Sequence, residues 1–166
     1  MYAFLVDKQI KSKIFSRPDY FLAFGFGSGL FPFAPGTVGS LIGLMIFLPC
    51  LSFSSYIQLM IIVAGLLFGI WITDRVSREI GIKDPPAIVF DEFVGIWIAV
   101  FLLPHFLLVI PAFLLFRLFD IYKPWPISFF DQKLNGGAGI MLDDVCAGLL
   151  VFFVMQASGW CFSVFF

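Results

Sequence analysis

Charge is confined to three short stretches of this chain, and that confinement restricts its fold more than any single motif does. Residues 7–19 carry six charged side chains, residues 74–92 eight and residues 117–144 seven, which accounts for all of the Lys, Arg, Asp and Glu. The intervening and trailing stretches, 20–73, 93–116 and 145–166, carry none. About 20 apolar residues in a helix, rising roughly 1.5 Å each, cross the hydrocarbon of a bilayer. The chain is 61% hydrophobic and only 13% charged, with a mean hydropathy of +1.03. A soluble domain is roughly 45–50% apolar and about 25% charged, and one core of this size has no room for the excess. The expected fold class is therefore all-α: a polytopic membrane helical bundle of four or five membrane helices, some short or re-entrant. Residues 1–166 read as one domain, with residues 1–20 as an N-terminal cytoplasmic segment.

The uncharged stretches divide into spans. Residues 37–51 and 56–73 read as an outward and a returning helix joined by a turn at 49–55. Residues 93–116 read either as one span or as a hairpin turning at Pro104-His105. The hairpin is preferred because it keeps all ten Lys and Arg on one side of the membrane, as the positive-inside rule requires. Pro104 and Pro111 also interrupt helix there. Residues 145–166 supply a last crossing, with Trp160 near the far interface. Gly39/Gly43 and Gly65/Gly69 have the GxxxG spacing that lets helices approach closely in lipid.

Several functions are excluded early. The net charge is −1, so there is no basic surface for nucleic acid. Cys50, Cys146 and Cys161 are widely spaced in apolar surroundings and form neither a disulfide framework nor a metal motif. Residues 1–20 lack the apolar core of a cleavable signal peptide, so the mature spans are expected to be the anchor.

Brought to one membrane face, the polar segments form a shared site. Asp91 and Glu92 open an apolar helix, where they either cap the helix and complement its dipole or serve as metal ligand and acid–base group. Arg117, Asp120 and Lys123 lie at i, i+3 and i+6 on one helical stripe. That stripe is either an ion-pair ladder or a phosphate clamp with Asp120 turned to a metal. Trp125 reads as an interfacial anchor. Asn135-Gly136-Gly137 signals a turn before the last apolar run, and Asp143 and Asp144 open that run. Capping explains one of those two carboxylates, and the pair suits an oxygen-seeking cation such as Mg2+. Gly25, Gly27 and Gly29 lack the strand–turn–helix context of a dinucleotide cradle. Thr37 is placed as the cap of the first membrane helix, whose N-terminal N–H groups suit a phosphate.

The lone histidine, His105, falls on the far side of the membrane, which argues against a His nucleophile and a Ser-His-Asp hydrolase. What remains, carboxylate-bound metal beside basic residues, is the inventory for hydrolysing a phosphate monoester with activated water. A transporter would carry ionisable groups within its spans, and the apolar stretches have none. A non-enzymatic scaffold, whose acidic loops are merely solvated, is the other rival.

Four segments in order, FGFGSGLFPFAPGTVGS, IVFDEFVGIW, FRLFDIYKPWPI and GGAGIMLDDVCAG, resemble bacterial phosphatidylglycerophosphatase A, a likeness running from about Phe21 to Gly148. The resemblance implies a multi-pass enzyme of the bacterial inner membrane with its site facing the cytoplasm. It would depend on Mg2+ and convert the phospholipid phosphatidylglycerophosphate to phosphatidylglycerol and phosphate, the last step of phosphatidylglycerol synthesis. The family pattern maps onto Asp91, Glu92, Arg117, Asp120, Lys123, Asp143 and Asp144, and Asp131 lies between motifs. On this reading Asp143, Asp144 and either Asp91 or Asp120 hold Mg2+, and Glu92 activates or positions water. Arg117 and Lys123 neutralise the phosphate with help from N–H groups near Thr37.

Overall fold

A computed structural model describes residues 8–124 and 136–165, apart from the side chains of residues 8, 9 and 160–165. Asp131, Trp125 and the Asn135 turn residue, and the side chains of Trp160 and Cys161, thus lie outside the described residues. Within them every regular element is helical: α1 (Lys8–Ser16), α2 (Pro18–Ala23), α3 (Pro35–Phe47), α4 (Ser55–Ile80), α5 (Phe90–Ala99), α6 (Val109–Tyr122) and α7 (Gly136–Phe165), with short 3-10 turns between. Three stretches are long and apolar enough to cross a membrane: Pro35–Ser52, Ser55–Ile80 and Gly136–Gly159. The bundle is the expected membrane type, with α5 and α6 as shorter legs.

Residues 93–116 form the hairpin and not a single span. Helix α5 ends at Ala99, residues 100–105 turn, and α6 returns so that Arg117 near its end lies 3.9 Å from Glu92 in the first turn of α5. Pro104 sits in the turn. Pro111 does not break helix, because it occupies the first turn of α6, where the missing N–H costs nothing. His105 is exposed in the turn, about 15 Å from the carboxylate end by the rise of the ten-residue α5.

Three expected boundaries are corrected. Helix α3 starts at Pro35, whose fixed φ suits a first helical position; Ala34, at φ 50°, is the cap residue, and Thr37 is inside the helix and does not cap it. Helix α4 runs on past Thr73 through Asp74, Arg75, Arg78 and Glu79 to a left-handed Gly81, since charge marks the edge of lipid and not the end of a helix. Helix α7 begins at Gly136, so Asp143 and Asp144 lie inside it and do not open it. Its first turn is held from outside, where the Gly137 N–H donates to Asp74 Oδ1 at 3.1 Å. Neither Asp91 nor Glu92 caps α5, because Val89 holds that position; both remain in the first turn, where the dipole favours them.

The short α5 is the centre of the bundle. Phe93, Val94, Ile96, Ala99 and their neighbours are buried, so its polar backbone ends meet protein and not lipid. The GxxxG glycines make this possible. A Cβ on Gly43 of α3 would stand 2.8 Å from Phe93 Cα, and one on Gly65 of α4 would stand 2.6 Å from the Trp97 ring. The Trp97 indole N–H donates to Gly43 O at 2.8 Å, and Trp97 stacks on Phe47. On the third side α7 approaches so closely that a Cβ on Gly148 would meet Gly95 O at 2.4 Å. The FGFGSGL segment is packing too: Gly29 lies against the Ala87 carbonyl. Helix α1 and the start of α2 are tied to the charged end of α4, with Lys13 and Arg17 on Glu79 at 2.9 and 2.7 Å and Arg75 on Asp19 at 3.2 Å.

Candidate active site

Two of the three charge clusters converge in one pocket. It has a volume of about 410 Å³ and lies where the first turns of α3 and α5 meet the end of α6, the 84–88 loop and the third turn of α7. None of the described side chains of the 7–19 cluster lines it. Asp91, Glu92, Arg117, Asp120, Lys123, Asp143, Asp144 and Thr37, all singled out from sequence, do.

The carboxylates divide by what they touch. Asp91, Glu92 and Asp144 each present an oxygen within 4.8 Å of the others. Asp144 is 2% exposed. Asp91 Oδ1, Glu92 Oε2 and Asp143 Oδ1 are buried without a hydrogen-bond partner among the described residues. Buried acceptors left without donors are costly, and oxygen donors grouped at this spacing fit a hard divalent cation. Asp120 and Asp143, by contrast, each hold a base. Asp120 pairs with Arg117 at 2.6 Å and Asp143 with Lys123 at 2.5 Å. The expected stripe is thus split: Arg117 and Asp120 pair along α6, while Lys123, left-handed at φ 41° before Pro124, leaves the helix and crosses to α7.

The first turn of α5 lies outside the three spanning helices, and its acids are strongly perturbed. Burial, followed by the negative charge of Glu92, raises Asp91 well above the ordinary carboxylate range. Burial, with Asp120 adding to it, raises Glu92 to about 7, against the opposing pull of Asp91's hydrogen bond and of Arg117. Acids held this way keep their protons more tightly than solvated carboxylates do, and a cation bound beside them would favour the charged form instead.

Sequence reasoning missed three contributors. Ser40 is fully buried in α3 and accepts a hydrogen bond from Arg117 Nη1 at 3.1 Å while donating to Gly36 O at 2.7 Å. Gly36 passes so close that a Cβ there would lie 2.1 Å from Glu92 Oε1. The spacing Gly36-x-x-x-Ser40 on one helix face was the available signal. Asp84 also lines the pocket, and nothing in its Lys-Asp-Pro-Pro context distinguishes it from a loop charge. The expectation for Thr37 is narrowed: its backbone N–H donates to Ala34 O at 3.0 Å, so only its hydroxyl remains to meet a ligand.

Fold and site together define a polytopic helical membrane enzyme whose acids and bases gather at one end of the bundle. The phosphatidylglycerophosphatase A family model matches residues 21–158, and the chain belongs to that family. It is 41% identical over 142 residues to the phosphatidylglycerophosphatase A of Escherichia coli (strain K12), covering 81% of this chain and 80% of the relative. With that of Haemophilus influenzae the identity is 42% over 145 residues, covering 85% and 88%. A Bacteroides thetaiotaomicron protein named putative phosphatidylinositol-3-phosphatase is 36% identical over 156 residues, 87% of this chain and 97% of that one. No solved structure shows a significant match.

Proposed function

We propose that the protein is a Mg2+-dependent lipid phosphatase that hydrolyses phosphatidylglycerophosphate to phosphatidylglycerol and phosphate, the final step of phosphatidylglycerol synthesis. The observation that carries this reading is the grouping of Asp91, Glu92 and Asp144 beside Arg117 and Lys123 in a member of the phosphatidylglycerophosphatase A family. Asp91, Glu92 and Asp144 would hold the cation, with the free oxygen of Asp143 close by. When bound, Mg2+ supplies positive charge against the phosphate oxygens and lowers the pKa of a bound water. Arg117, steadied by Asp120 and Ser40, and Lys123, steadied by Asp143, bind the phosphate oxygens through charge-assisted hydrogen bonds. The Thr37 hydroxyl adds a neutral donor at the pocket wall. One Glu92 oxygen would complete the cation's set, leaving the other to accept a hydrogen bond from the attacking water.

A bacterial inner-membrane location with the pocket toward the cytoplasm is supported by the positive-inside rule, which the ten Lys and Arg follow in this orientation. The test is phosphate release from phosphatidylglycerophosphate by purified protein in detergent, with Mg2+ and with a chelator. Release that the chelator abolishes and Mg2+ restores supports the reading; no release from folded protein overturns it. The name of the Bacteroides relative supports a second substrate of the same chemistry, so phosphatidylinositol 3-phosphate belongs in the same assay.

A further inference from the structure

A second hollow adjoins the carboxylate pocket and has the opposite character. Its volume is about 180 Å³, its walls include Phe24, Leu30, Ile80 and Ile82, and Lys11 is the one charged residue among the described residues that line it. Pro35 and Pro86 line both hollows, so the two share a wall. Phe31 also lines the hollow, and Phe31 and Phe33 are 51% and 79% exposed beside it, as suits aromatic rings at the edge of a lipid phase. Lys11 is exposed on α1 and makes no ion pair among the described residues, unlike Lys13 and Arg17.

A ligand that fills both hollows is anionic at one end and apolar at the other. Size limits the apolar part. A dry cavity of about 150 Å³ takes a benzene ring, so this one has room for about six or seven carbons of a single chain and not for two chains. A small soluble phosphate has nothing to cover these walls. Resting on the phosphatase reading above, we infer that this hollow receives the glycerol-proximal segment of one acyl chain of the lipid substrate, with Lys11 at the rim against the lipid's anionic backbone. It thereby makes the enzyme prefer a diacyl substrate over the free head group.

The test compares kcat/KM for diacyl phosphatidylglycerophosphate with that for its deacylated head group, in the wild type and in Ile82→Trp, which fills the hollow. The expected result is a preference for the diacyl substrate that falls about tenfold in the variant. Should Ile82→Trp fail to fold in detergent, Leu30→Trp, which fills the same hollow from another wall, carries the test, and there too the preference falls about tenfold. An unchanged preference in the folded variant overturns the inference. Failure of the phosphatase reading looks different: the wild type then releases phosphate from neither substrate, and the inference falls with it.

Discussion

At Gly36 a single absent methyl decides whether Glu92 and Arg117 can occupy their places. A Cβ there would stand 2.1 Å from Glu92 Oε1 and 3.0 Å from Arg117 Nη2, so one of the two must move. Gly36→Ala is expected to lower kcat on phosphatidylglycerophosphate at least tenfold while the protein still purifies folded, as a phosphate-release assay beside a thermal melt will show. Ser40→Ala removes one hydrogen bond to Arg117, worth about 1 kcal/mol, and is expected to cost about fivefold in kcat/KM. Charged residues are scarce in this chain, which is why Asp91, Glu92, Arg117, Asp120, Lys123, Asp143 and Asp144 stood out from sequence alone. Gly36 and Ser40 did not, because small residues in an apolar helix look like packing until the partner across the gap is known.

Among the helices, α5 carries the arrangement. It is clasped by α3, α4 and α7, and its contact with α7 at Gly95 and Gly148 leaves no room for a side chain. Gly148→Leu forces these helices apart and is expected to cost about 1–3 kcal/mol of stability. It also separates Asp91 and Glu92 from Asp144, so activity should fall further than the melting temperature alone accounts for. A different element contact tests the outer layer. The Arg17 guanidinium holds the Asp19 carboxyl below its usual range, and Arg75 reaches the same group from α4. A carboxyl depressed in the folded state adds stability that is present above its unfolded pKa, about 3.9, and is lost as pH falls through the folded value. Asp19→Asn is therefore expected to lower the melting temperature at pH 7, by about 1 kcal/mol of stability, with the gap to wild type closing below about pH 4. The hairpin was legible because charge placement and Pro104 agreed, although Pro111, also read as an interruption, is accommodated in the first turn of α6. The helix ends were not, since α4 and α7 extend through charged turns that sequence alone treats as boundaries.

Across the whole molecule the fold brings acids and bases from residues 84–92, 117–123 and 143–144 to one end of the bundle and leaves His105 at the other. In the proposed orientation, a Lys83→Cys variant with Cys50, Cys146 and Cys161 replaced by Ser should react with a membrane-impermeant thiol reagent in inside-out vesicles and not in spheroplasts. The convergence was legible from charge clustering. Which acid meets which partner was not, because that depends on Lys123 leaving its helix and on α7 starting early enough to carry Asp143 and Asp144 past Asp91. The most direct measurement is equilibrium binding of Mn2+, as a spectroscopic stand-in for Mg2+, to purified wild type, Asp91→Asn and Asp144→Asn. The expected result is one saturable site in the wild type that weakens at least tenfold in each variant, with the folds intact. Equal binding by all three proteins would contradict a cation centre built from these carboxylates.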